Sequence, residues 1–120
     1  MKWNLPANQK YKNKRTSIDG FNFDSIAESE YYLVLRAIQK TGLILHIDVH
    51  PKITLAAAVT YRPDFIAYYA DGDIKMFDVK SPPTAKKSDF KIKKKLVDQG
   101  HPLAPLIIVM KRRNGWEEII

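Results

Sequence analysis

Tyr61-Arg62-Pro63-Asp64-Phe65-Ile66-Ala67-Tyr68-Tyr69-Ala70-Asp71-Gly72-Asp73-Ile74-Lys75-Met76-Phe77-Asp78-Val79-Lys80 is the stretch on which the fold turns. Two β-rich runs flank Ala70-Asp71-Gly72, so residues 60–69 and 73–79 are expected to pair as a hairpin. Loop length decides the register. A two-residue Asp71-Gly72 loop would set Asp64 against Val79 and turn its side chain to the other face. A three-residue loop ends on Gly72, where a left-handed residue is required, and pairs Tyr69 with Asp73 and Asp64 with Asp78. The three-residue loop is the reading adopted. Side chains alternate along a strand, so Asp64, Asp78 and Lys80 then converge on one face, and a slip of one residue would scatter them.

Working outward, Asp24-Ser25 opens a helix, with Ser25-x-x-Glu28 spaced as a capping box. Ile26–Lys40 contains no Gly or Pro, and Thr41-Gly42 closes it with Gly42 as the C′ residue. Apolar residues occupy most of its circumference, which predicts a well-buried helix with Arg36, Gln39 and Lys40 on the wet side. Residues 43–49 read as a strand broken by His50-Pro51, and residues 52–58 as a further short strand. Beyond the hairpin, Ser81-Pro82-Pro83-Thr84 reads as a rigid linker, residues 90–99 as a second helix stopped by Gly100 and Pro102, and residues 106–110 as a buried strand. The order α-β-β-β-α-β predicts one α/β domain, a mixed central sheet flanked by helices.

A chain of 120 residues suffices for one domain and not for two. Its net charge of +7 implies a polyanionic partner, nucleic acid or an anionic membrane surface, unless the basic surface is merely solvated. Residues 1–20, interrupted by Pro6 and Gly20, read as a basic, loosely ordered arm carrying Lys10, Lys12, Lys14 and Arg15; residues 21–120 are the folded domain. Lys87, Lys91, Lys94 and Lys95 lie on or beside the second helix, where they could hold phosphates without reading sequence. There is no cysteine, so a metal would have to be held by carboxylates, carbonyls, histidine or water. No apolar run approaches the ~20 residues of a membrane helix, and a soluble, cytoplasmic protein is expected. The chain has no Gly-rich phosphate loop to support ATP use.

Two carboxylates directly opposite on a hairpin repel unless something offsets them. A bound Mg²⁺ would do so, since it takes oxygen ligands and needs only one or two protein carboxylates. Lys80 would then lie where charge develops on an attacked phosphate. Read singly, each of these residues is an ordinary solvent-face acid or a surface ion pair. A third carboxylate is expected from the first helix, where Glu28 and Glu30 both qualify and helix geometry does not choose between them. His46 and His50, four apart, could share a face, but neither has recognised zinc spacing and no catalytic role is assigned to them.

Glu28, Pro63-Asp64 and Asp78-Val79-Lys80, in the order helix, strand, strand, resemble the PD-(D/E)XK nuclease superfamily. More closely, Lys10-Tyr11-Lys12-Asn13-Lys14, Asp19-Gly20, Phe23-Asp24-Ser25-x-x-Glu28-x-x-x-Tyr32-x-x-Leu35, Pro51-Lys52, Asp64-Phe65, Asp78-Val79-Lys80 and Phe90-Lys91-Ile92-Lys93-Lys94-Lys95-Leu96 are similar to a family of short phage-encoded endonuclease-like proteins. The resemblance covers most of the chain and departs mildly at Ser29. It implies a restriction-endonuclease-like domain with Glu28 as the helix acid. It further implies that Asp64, Asp78, the Val79 carbonyl and Glu28 bind Mg²⁺ or Mn²⁺, and that Lys80 activates or orients water. The implied activity is DNA endonuclease, with a recombination or Holliday-junction-resolving enzyme as the favoured subtype, branched DNA as partner and a possible homodimer in the host cytoplasm. A non-catalytic nucleic-acid-binding module on a nuclease-like fold would use the same arm and lysine helix.

Overall fold

The computed structural model describes residues 16–54, 60–80 and 104–119. Its frame is a five-stranded mixed sheet in the order β3(Ile44–Val49), β6(Phe65–Tyr69), β7(Ile74–Val79), β8(Leu106–Arg112), β9(Gly115–Ile119). β7 and β8 run parallel, and the other neighbours are antiparallel. One helix, α1(Ile26–Lys40), packs on one face. Two small hairpins complete the description: β1(Thr16–Ile18) with β2(Phe21–Phe23), and β4(Ile53–Thr54) with β5(Thr60–Tyr61). The result is a single small α/β domain.

The central register follows from the loop. The Tyr69 N–H donates to the Asp73 carbonyl at 2.8 Å, and the Gly72 N–H donates to the Tyr69 carbonyl at 3.0 Å. Gly72 has φ +98°, a conformation that costs glycine nothing and a residue with a Cβ about 1 kcal/mol or more. Phe65 therefore pairs with Phe77 and Tyr68 with Ile74, which sets Asp64 opposite Asp78, as the three-residue loop predicts. The hairpin strands are shorter than expected. Thr60–Tyr61 pairs with Ile53–Thr54 instead, and residues 62–64 form the break between the two sheets.

Alternation along β6 and β7 divides the core between two faces. Phe65, Ala67 and Phe77 join Tyr31, Tyr32 and Leu35 of α1, with Phe23, Ile44, Ile47, Ile107 and Val109. Ile66, Met76, Leu106, Ile108 and Met110 form the core of the opposite face. Each fully buried Phe or Leu contributes about 2–3 kcal/mol, so this double-sided packing is what holds the hairpin in register.

Three expectations are corrected. The helix is buried along one stripe only: Leu33 is 51% exposed and Ile26 48%, because the sheet covers the side carrying Tyr31, Tyr32 and Leu35. The arm ends before residue 20: Thr16–Ile18 pairs with Phe21–Phe23 through Asp19 (φ +55°) and Gly20 (φ +84°), an Asp-Gly loop of the tight hairpin type. The strand expected at residues 106–110 is longer and is not the last: β8 runs from Leu106 through Arg112, and β9 follows it. The expected helix at 90–99, and Lys10, Lys12, Lys14, Arg15, Lys87, Lys91, Lys94 and Lys95, lie outside the described residues.

Candidate metal centre

Asp64 and Asp78 meet just beyond the last β6–β7 pair, Phe65 with Phe77. Asp78 is essentially inaccessible (1% exposed), and its Oδ1 accepts the Asp64 N–H at 2.9 Å. The same N–H also donates to the Phe77 carbonyl at 3.0 Å. In return, Asp64 Oδ2 accepts the Val79 N–H at 2.8 Å. Each carboxylate is thus held by a backbone donor of the facing strand, a charge-assisted bond stronger than a neutral one. This offsets part of the repulsion that the sequence alone would leave to a metal. Lys80 Nζ lies 3.9 Å from Asp78 Oδ2, and the Lys80 N–H continues the ladder to the Val109 carbonyl. Asp78 and Lys80 alternate in phase with Met76, on the face opposite α1.

The helix acid reaches the same place from the α1 side. Ser25 caps α1, its hydroxyl accepting the Glu28 N–H at 3.1 Å. This is half of a capping box. The Glu28 carboxylate turns inward, with Oε1 2.5 Å from His50 Nε2. Glu30 takes no part: it pairs with Lys111 on β8 and is partly exposed. The geometry therefore distinguishes two carboxylates that spacing could not.

His50 is brought in by a local backbone kink after β3. Its φ is +53°, and its N–H donates to the Asp64 carbonyl at 2.9 Å. Its ring lies 5.8 Å from that of Phe23, centroid to centroid. One ligand atom each from Glu28, His50 and Asp64 lies within 4.8 Å of the others. These three residues, with Asn22, Asp24, Arg62 and Pro63, line a cleft of about 390 Å³. His46 is drawn elsewhere: it bonds Asp48, which also accepts the Tyr68 hydroxyl. Four residues of separation do not put the two histidines in one site.

Electrostatics mark the cleft as costly for bare anions. Burial, and next the charge of Asp64, push the Glu28 carboxyl up from 4.5 to about 6, against the opposing pull of His50. Burial also pushes Asp64 up, while the Val79 N–H, Lys80 and His50 pull it down. Two carboxylates and an imidazole crowded in a desolvated cleft suit a divalent cation chemically. Glu28, Asp64 and His50 are the residues that would hold it, with Asp78 immediately behind Asp64.

The family described as "Protein of unknown function (DUF1064)" matches residues 8–113. The chain belongs to that family. No curated protein and no solved structure matches it.

For this DUF1064 member, the structure gathers Glu28 and Asp64 directly, places Asp78 against Asp64, and places Lys80 beyond it, in contact with Asp78. Val79 is joined to Asp64 through its N–H. The residue that sequence reasoning left without a role is His50. Its signal was the His-Pro break at a strand end, where a positive φ redirects the side chain out of the strand's alternation. On β8, Lys111 is paired with Glu30 and Arg112 with Glu117.

Proposed function

We propose that this chain is a metal-dependent DNA endonuclease on a restriction-endonuclease-like fold of the PD-(D/E)XK type. The observation that carries the reading is the convergence of Glu28 from α1 with Asp64, which is hydrogen-bonded to Asp78, just beyond the last β6–β7 pair. A Mg²⁺ or Mn²⁺ ion bound there would polarise the scissile phosphate and acidify a water molecule. Glu28 and Asp64 supply the negative charge that retains the cation. Asp78 fixes Asp64 through its backbone N–H, so the Asp64 carboxylate has a defined position. Lys80, 25% exposed beside Asp78, orients the attacking water and offsets charge on the phosphate. Arg62 at the cleft, with the basic arm and the lysines of residues 87–95, holds flanking phosphates. Hydrolysis leaves 5′-phosphate and 3′-hydroxyl ends, and branched DNA is the proposed substrate. Cutting two strands symmetrically calls for two copies of the chain.

Incubation of the purified protein with linear, nicked, single-stranded and four-way DNA, in Mg²⁺, Mn²⁺ or EDTA, tests this. Metal-dependent cleavage, strongest on the four-way substrate, is expected. DNA binding without cleavage of any substrate in either metal would replace the enzyme with a non-catalytic binding module.

A further inference from the structure

We propose that His50 is a nitrogen ligand of the bound cation and sets the site's preference for a manganese-class ion over magnesium; this rests on the reading that the cleft binds a divalent cation. His50 Nε2 is 2.5 Å from Glu28 Oε1, and Glu28, His50 and Asp64 offer donor atoms within 4.8 Å of one another. Donors on one ion with bonds of about 2.1 Å lie about 3.0 Å apart when adjacent and about 4.2 Å apart when opposite, so the set closes if the His50–Glu28 contact opens slightly and the widest pair draws in by about 2 Å or less, within the reach of side-chain rotation. The imidazole is positioned independently of Glu28. The His50 backbone is tied to the Asp64 carbonyl at 2.9 Å, and its ring packs on Phe23. Its side chain is 35% exposed, leaving the ring edge open to the cleft. Asp64 therefore carries one donor on its side chain while its carbonyl anchors the residue that carries another.

The chemistry of the donor set discriminates between ions. Mg²⁺ demands oxygen ligands and keeps its waters, so an obligatory imidazole is a poor match. Imidazole suits the transition metals, whose affinity for nitrogen donors exceeds that of the hard alkaline earths. Two carboxylates with one imidazole and no thiolate suit a first-row transition ion better than Mg²⁺, and Mn²⁺ is the member of that series that, like Mg²⁺, also takes carboxylate and water oxygens. A purely structural His50–Glu28 pair, pinning β3 to α1, is the competing explanation, and it makes no demand on metal identity.

The test uses the full chain stripped of metal. Calorimetric titration with Mn²⁺ and with Mg²⁺ is expected to give at least tenfold tighter binding of Mn²⁺. Pulsed electron paramagnetic resonance of the Mn²⁺ complex should show hyperfine coupling to an imidazole nitrogen. In His50→Gln, which keeps the reach and offers an amide oxygen, the coupling should vanish and the Mn²⁺ preference should fall to threefold or less. His50→Ala should behave alike, with circular dichroism confirming that both variants fold. Mn²⁺ bound without nitrogen coupling, or a preference unchanged in a folded His50→Gln, overturns the assignment of His50 and leaves the nuclease proposal standing. Nitrogen-coupled Mn²⁺ without cleavage of any nucleic acid supports the assignment while ending the nuclease proposal. Absence of binding of either ion overturns both.

Discussion

Replacing Glu28 by glutamine should stabilise the metal-free protein at neutral pH while removing the proposed cleavage activity. Glu28 is 7% exposed, and its carboxyl is pushed from 4.5 to about 6 by burial and by the charge of Asp64. The sign follows from proton counting. Between pH 4.5 and about 6 the folded chain holds a proton on Glu28 that the unfolded chain has released, so stability falls as pH rises through that window. A difference of one and a half units at about 1.4 kcal/mol per unit makes the loss roughly 2 kcal/mol once the pH exceeds the folded value. Glutamine keeps the shape and the contact with His50 without the charge. Urea unfolding in EDTA at pH 4 and pH 8, for wild type and Glu28→Gln, isolates the effect, because any packing difference is common to both conditions. The variant should gain about 2 kcal/mol on wild type between the two pH values, equivalent to roughly 6–10 °C in melting temperature for a domain of this size. Saturating Mn²⁺ should stabilise wild type and leave the variant little changed. A relative stability that does not change with pH would refute the claim that Glu28 is held as a desolvated acid.

Further outcomes follow from the same geometry. If the chain is the proposed nuclease, Asp64→Asn should lower cleavage by about 10²–10³-fold or more, with DNA affinity within about threefold of wild type, because the proposal assigns affinity to phosphate contacts elsewhere; single-turnover kinetics and filter binding would measure the two separately. Ser25→Ala should cost about 1 kcal/mol by chemical denaturation and also weaken metal binding, since the same hydroxyl caps the turn that carries Glu28. Gly72→Ala should destabilise by about 1 kcal/mol or more although no atom lies within 4 Å of the added Cβ, because the cost is purely conformational at φ +98°. An unchanged unfolding midpoint would mean that the loop can adopt another turn. The proposed DNA binding should weaken steeply with added salt, and a flat salt response between 50 and 200 mM would remove the phosphate-binding role proposed for the basic residues.

The centre of the molecule was legible because its cues are local and agree with one another. Gly72 admits a left-handed turn residue, the flanking runs alternate, and together they dictate the pairing of Asp64 with Asp78. The same Asp-Gly dipeptide at Asp19-Gly20 closes a tight two-residue hairpin, and the surrounding lysines concealed it by making the segment look like a tail. Elsewhere the missing information is non-local. Glu28 and Glu30 differ in partners 22 and 81 residues away, His50 and Lys111, which no helical spacing encodes. His50 leaves strand alternation through a positive φ, so a period-two reading misplaces it. Leu33 and Ile26 made α1 look buried all round, whereas the sheet covers only one stripe of it. β9 escaped notice because four of its five residues are exposed and only Trp116, packed against Tyr31 at 5.0 Å between ring centroids, contributes to the core.

Anomalous diffraction at the manganese edge, from crystals of the full chain equilibrated with Mn²⁺, tests the central claim directly. A peak bonded to the carboxylates of Glu28 and Asp64 at about 2.0–2.2 Å is expected. A fully occupied manganese position elsewhere, or a cleft that stays empty at saturating Mn²⁺, would contradict it.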